Sequence, residues 1–266
     1  MMSRLDGKVV IVVGAGTGSG PGCARRIALE GADVILADMA GEAVEATAAS
    51  IRDAGGKASA EQLDVHDEES VAGLMARVAE QHGRIDGLHN DTSSYRFAQR
   101  DTHITELDTE TWDDVLQGGL RGYMYTIKHA VPHMARGGGG AIVNMSALTA
   151  WSAQPMNPAY AVAKGGVLSL TASVVASYGT YGIRCNAICG GFIVNETTGS
   201  KFSDEFREMV MTHIPHTRLG TPDDLGRLAA FLLSDDADYI SGQVIAVDGG
   251  FDTPGPLYSD LPKPAL

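Results

Sequence analysis

The sequence predicts a single-domain α/β protein built on a doubly wound parallel sheet, on three observations. Short β-branched runs alternate along the 266 residues with Ala-rich segments of helical period. The runs are apolar at nearly every position, so both faces of the sheet must be covered. A glycine-rich turn joins the first run to the first helical segment.

Strands are expected at residues 8–13, 33–37, 59–64, 85–90, 141–145, 184–189 and 243–247, with helices filling most of the gaps. Gly14-Ala15-Gly16-Thr17-Gly18-Ser19-Gly20 follows the first strand and opens a helix. Missing side chains there let backbone approach a pyrophosphate, and the helix N-terminus favours its charge. Pro21 suits the first helical turn, where its absent N–H has no intrahelical partner, and Gly22 is expected to hold the helix close to the sheet. Asp38 ends the second strand, where a carboxylate can accept hydrogen bonds from both ribose hydroxyls and repel a 2′-phosphate. Neither Met39 nor Ala40 is basic, so NAD is favoured over NADP. Tyr160 and Lys164 stand one helical turn apart and share a face. The run of four glycines at 137–140 reads as a helix-to-strand turn, and residues 251–266 as an irregular, proline-containing tail.

A formal net charge of −13 with scattered basic residues gives no attraction to nucleic acid or an anionic membrane. No apolar run of signal-peptide type opens the chain, and a cytoplasmic location is expected. Cys23, Cys185 and Cys189 sit in apolar surroundings without ligand spacing and read as reduced, buried thiols. His129 and His133, like His213 and His216, lack a third ligand at zinc-site spacing, so no metal is expected.

Taken together, Gly14-xxx-Gly18-x-Gly20, Asp64-Val65, Asn90, Tyr160-xxx-Lys164, the run at 189–193 and the closing Val247-Asp248-Gly249-Gly250 resemble the short-chain dehydrogenases/reductases over about residues 5–251. The resemblance implies a Rossmann-like sheet of seven strands ordered 3-2-1-4-5-6-7. Gly14, Thr17, Gly18, Ser19 and Gly20 would hold the pyrophosphate, with Asp64 and Val65 near adenine. Asn90 would lie beside a ribose and Ile193 near the nicotinamide. The family's Tyr is the acid or base on the substrate oxygen, here Tyr160. Its phenol needs a pKa well below about 10, which a fixed ammonium and the oxidised nicotinamide can provide. Lys164 would also hold the nicotinamide ribose. Helices matching residues 116–134 and 159–178 make dimer and tetramer contacts in the family, so a homotetramer or homodimer is expected.

Three positions depart from that pattern. Where the family has a Ser to hold the substrate oxygen, this chain has Ala147. Ser146 is the adjacent candidate, but it points to the other face of an extended segment unless a bulge turns it; Thr149 and Ser152 are less direct. Gly119 replaces an Asn that kinks a helix and binds a relay water; it allows the kink but lacks the side chain. Asn90-Asp91-Thr92-Ser93 stands where the family commonly reads Asn-Asn-Ala-Gly.

Residues 91–107 and 194–216, with 151–158, should wall the substrate pocket at the carboxyl ends of the strands. Tyr95, Phe97, Trp151, Met156, Phe192 and Phe202 suggest an apolar or aromatic substrate, and Arg96, Arg100 and His103 could meet an acidic group. The leading reading is NAD-dependent interconversion of a secondary alcohol and a ketone. Redox-neutral chemistry on bound NAD (dehydration, isomerisation or bond cleavage) and a non-catalytic NAD-binding subunit remain open alternatives.

Overall fold

A computed structural model describes residues 3–93, 99–152, 154–195, 199, 202–253 and 258–260. Seven strands form one parallel sheet: β1 (Val9–Val13), β2 (Asp33–Asp38), β3 (Lys57–Gln62), β4 (Gly87–Asn90), β5 (Gly140–Ala147), β6 (Ile183–Gly190) and β7 (Val244–Val247). Their order is β3-β2-β1-β4-β5-β6-β7, as the resemblance implies.

The helices are α1 (Gly20–Leu29), α2 (Gly41–Asp53), α3 (Glu68–His82), α4 (Thr109–Leu116), α5 (Gly122–Arg136), α6 (Pro158–Tyr178), α7 (Asp204–His213) and α8 (Pro222–Leu233). The period-2 alternation of strand side chains divides the core in two. Val10 and Val12 of β1 join a cluster with Ile27 of α1, Ala48 of α2 and Ala229 of α8. Val9, Ile11 and Val13 join the opposite one with Leu74 of α3, Ile127 of α5 and Val174 of α6. All five residues of β1 are therefore buried, which explains its uninterrupted apolar run.

Several expectations are corrected in detail. The third strand lies two residues earlier than 59–64, because it is an edge strand whose exposure alternates, and the apolar Leu63 lies beyond its end. Gly22 serves helix packing rather than closeness to the sheet: a Cβ there would lie 2.2 Å from Cβ of Pro222 in α8. The segment from 116 to 134 is not one regular helix. A π-helical turn, Gln117–Arg121, containing Gly118 and Gly119, separates α4 from α5 and supplies the irregularity that Gly119 permits.

One helical stretch among the described residues, Pro158–Tyr181, is long and apolar enough to cross a membrane, with a mean hydropathy of 1.4. It is a fold element instead. Ala159, Ala163, Val167 and Val174 are buried, and α6 packs on β5 and β6. Val162 and Tyr178 of α6 are exposed.

Candidate active site

The carboxyl ends of β1, β2 and β4 open into a cleft of about 790 Å³, lined by Gly14, Thr17, Gly18 and Ser19, with Asp38 and Met39 from the end of β2. Gly14 and Gly18 adopt φ of 90° and 69°, a left-handed region that favours glycine. At Gly14 a Cβ would also lie 2.2 Å from the Asp91 carbonyl oxygen. Gly20 closes the loop from beneath rather than lining the cleft, since its Cβ would lie 1.9 Å from the Gly14 oxygen. The Asp38 carboxylate accepts from the Gly16 N–H at 2.9 Å and the Ala40 N–H at 2.9 Å, which fixes it at the rim.

Asp64 and Val65 line the same cleft, as do Glu110, Asp113 and Asp114. Sequence reading missed those last three, because they come from α4 and only the fold brings them opposite β2. They add negative charge to the cleft that Asp38 also lines, which further disfavours a 2′-phosphate.

Asn90 is placed differently from expectation. Its side chain donates to Asn144 Oδ1 at 2.9 Å and accepts from the Thr126 hydroxyl at 2.8 Å, tying β4 to β5 and α5, and it lines neither cavity. Its neighbour Asp91 lines both and accepts from the Ser19 hydroxyl at 2.7 Å. Burial pushes the Asp91 carboxyl up to about 6, against the opposing effects of Ser19 and Lys164.

A second cavity of about 220 Å³ shares Ser19, Asp91, Thr92 and Ser93 with the first. Tyr160, Lys164, Ser146, Ala147 and Ile193 line it, so the structure brings the expected substrate-side residues together. Lys164 is 3% exposed. Its ammonium donates to the Thr92 carbonyl at 3.0 Å, the Tyr123 hydroxyl at 3.0 Å and the Met145 carbonyl at 3.1 Å. It lies 5.7 Å from the centroid of the Tyr160 ring. Burial pulls Lys164 down to about 8, partly offset by Asp91 and Cys189. Three bonds use all its donors, so holding a ribose hydroxyl requires exchanging one of them.

The Ser146 hydroxyl, which lines the second cavity beside Ala147, is engaged by the fold. β5 pairs regularly with β6 through Ser146↔Cys189 and Ala147↔Gly190, without a bulge. The Ser146 hydroxyl donates to the Lys164 carbonyl at 2.9 Å and so helps to anchor α6. Thr149 lines neither cavity.

Asp101 is a residue that sequence reading missed. It is buried and accepts from the backbone N–H groups of Ala159 at 3.1 Å and Tyr160 at 2.9 Å, capping the helix that carries the Tyr–Lys pair. Asn157 precedes that helix at φ 61° and donates to the Asp101 carbonyl at 2.8 Å. No signal in a single sequence couples positions 58 residues apart.

Of the expected substrate walls, Tyr95, Arg96 and Phe97 lie outside the described residues. Phe192 and Phe202 line the second cavity. Phe192 packs edge-on to Phe206 and Phe251 with centroids at 6.2 and 5.2 Å, forming an aromatic wall. Trp151 and Met156 line neither cavity. Arg100 pairs with Asp108 and Glu110, and His103 meets the Pro155 carbonyl, so both have internal partners in place of an acidic substrate. All three cysteines are free and buried, and burial holds Cys189 up at about 11 and Cys185 at about 12. His129 contacts Glu68 at 3.0 Å and His133 contacts Arg136.

Residues 14–252 match the family model described as enoyl-(acyl carrier protein) reductase. The chain is 39% identical, over 97% of its length and 92% of the relative's, to a Bradyrhizobium diazoefficiens protein named "probable short-chain type dehydrogenase/reductase". It is 34% identical to the 7alpha-hydroxysteroid dehydrogenase of Clostridium sardiniense, covering 97% and 98% of the two chains. A solved structure of a 7alpha-hydroxysteroid dehydrogenase complexed with NADH and 7-oxo glycochenodeoxycholic acid superposes with a TM-score of 0.87 at 27% identity, covering 94% and 96% of the two chains. With these matches, its strand order and its Tyr160–Lys164 pair, the chain belongs to the short-chain dehydrogenase/reductase family and is an oxidoreductase of that type.

Proposed function

We propose that the protein interconverts a secondary alcohol and a ketone with NAD as cofactor, on a substrate whose body is apolar or aromatic. The observation that carries this reading is that Tyr160 and Lys164 open onto one small cavity continuous with the dinucleotide cleft. The cradle fits the cofactor: Gly14, Thr17, Gly18 and Ser19 line the cleft with small side chains or none, a Cβ at Gly16 would crowd the Asp38 carboxylate at 2.8 Å, and Asp38 is held at the rim where ribose hydroxyls bind. When bound, NAD supplies the hydride acceptor or donor. Gly14, Thr17, Gly18 and Ser19 would hold its pyrophosphate, Asp38 the adenosine ribose, and Ile193 the nicotinamide end.

The protein's own part is proton management at the substrate oxygen. In the oxidation direction the Tyr160 phenolate takes the hydroxyl proton, and in reduction the phenol returns it. The Lys164 ammonium favours phenolate electrostatically at a buried site where that attraction is little screened. Phe192 and Phe202 supply apolar walls. With no hydroxyl at position 147 to share the substrate oxygen, Tyr160 is the principal polar contact, and turnover should be slow relative to a site with two donors, by on the order of 10²-fold.

The test follows nicotinamide absorbance across hydroxysteroids, cyclic alcohols and short diols with purified protein. NADH formation that collapses in Tyr160→Phe supports the reading and excludes a non-catalytic subunit. Product formation without net change in NADH would instead support redox-neutral chemistry, the second reading, which the side chain of Ala147 in regular register favours. Self-association through the helices that the family resemblance implies for dimer and tetramer contacts is part of this reading, and light scattering should find a dimer or tetramer.

A further inference from the structure

The three oxygens around the Lys164 ammonium are of two kinds. The Thr92 and Met145 carbonyls belong to the backbone, two residues after β4 and within β5. The third is the Tyr123 hydroxyl, which is supplied by a side chain. Tyr123 is fully buried, so its orientation is set by packing. Its hydroxyl lies 2.9 Å from the Met145 carbonyl and 3.2 Å from that of Thr92. A phenol has one proton to donate and lone pairs to accept with. It therefore donates to a carbonyl and accepts from Lys164, closing a ring of hydrogen bonds about the ammonium. The Tyr123 ring adds a face 4.9 Å from Nζ. Tyr123 stands four residues after Gly119, on the continuation of the same helical segment, where Gly119 offers no polar side chain.

We propose that Tyr123 is a positioning residue for the reaction: its hydroxyl holds the Lys164 ammonium in place beside Tyr160 and thereby sets the pH range over which Tyr160 exchanges protons with substrate. The inference rests on the alcohol–ketone reading. The other titratable groups facing Lys164 are Asp91 after β4, Cys189 on β6 and Tyr160 on its own helix. Tyr123 touches Nζ directly, with its hydroxyl at 3.0 Å and its ring centroid at 4.9 Å.

Tyr123→Phe removes the oxygen and keeps the ring. Loss of a hydrogen bond to a charged group disfavours the ammonium, so Lys164 should titrate about one pH unit lower. The corresponding limb of the kcat/KM profile should move down with it, and kcat should fall about tenfold while KM for NAD stays within about twofold. A merely structural role would lower thermal stability and leave the profile in place.

Lysine-labelled full-length protein followed by NMR, with the Lys164 resonance assigned through Lys164→Met, reads the same titration without substrate. A downward move supports the proposal even if no alcohol is turned over, so failure of the reaction and failure of the positioning role are distinguishable. An unchanged Lys164 midpoint in Tyr123→Phe overturns it. Should that variant not fold, wild-type protein decides: Lys164 Nζ–H signals protected from exchange support the ring of hydrogen bonds, and rapidly exchanging ones overturn it.

Discussion

Replacing Lys164 by Met tests the electrostatics of the site through stability alone. The side chain is 3% exposed and its pKa falls from 10.5 to about 8, chiefly because burial strips water from the ammonium. At about 1.4 kcal/mol per pH unit, keeping the charge at neutral pH costs the fold about 3 kcal/mol. The folded-state pKa is below the unfolded one, so between them the unfolded chain binds the additional proton. The cost is present in full below about pH 8 and is relieved as pH rises toward 10.5. Wild type should therefore gain about 2 kcal/mol over Lys164→Met between about pH 7 and about pH 9.5. The carbonyls and hydroxyl left without a donor in the variant add a constant offset, which the pH dependence does not contain. Urea denaturation followed by circular dichroism, at matched protein concentration across that range, measures the difference. A difference that stays flat within about 0.5 kcal/mol, or runs the other way, would refute a buried ammonium.

Three further outcomes are expected. His89 is fully buried with neither ring nitrogen partnered, and burial pulls it down to about 4; His89→Leu should raise stability at neutral pH by about 1–3 kcal/mol. Because its folded-state pKa lies below the unfolded 6.5, wild type should lose stability relative to that variant as pH falls from about 6.5 to about 4, measurable by acid titration of unfolding. Asp101→Ala should cost about 1–2 kcal/mol by uncapping α6 and should lower kcat as Tyr160 loosens, with thermal melts and initial rates as the checks. Restoring polar groups by Ala147→Ser with Gly119→Asn should raise kcat at least tenfold if the site is a weakened alcohol dehydrogenase, and lower it if the chemistry is redox-neutral; Ala163 Cβ, 3.3 Å from a Cβ at position 119, leaves limited room.

What the sequence revealed was local. Gly14 to Gly20, Asp38 and the Tyr160–Lys164 spacing are legible because the chemistry depends on residues within one turn or one helical repeat; Gly14, Thr17, Gly18, Ser19, Asp38, Tyr160 and Lys164 all line a cavity. A parallel sheet covered on both faces followed from the apolar strands, and the strand order from the resemblance. The edge strand β3 was displaced because its exposed face carries polar residues and blurs the apolar run. Asn90 was expected at the cofactor but is spent on Asn144 and Thr126, a pairing across strands that spacing cannot show. Asp101 and Tyr123 were invisible for the same reason, acting on α6 from 58 and 41 residues away. Ser146 could be judged only once the register of β5 was known and its hydroxyl was found on the Lys164 carbonyl.

The most direct measurement follows deuterium from the C4 position of labelled NADH into a ketone substrate, with wild type and Tyr160→Phe compared side by side. A two-electron alcohol–ketone enzyme relying on the Tyr160 phenol delivers one deuterium to the carbinol carbon, and the Phe variant loses at least about 10²-fold in rate. Product carrying no label, or a Phe variant as fast as wild type, would contradict it.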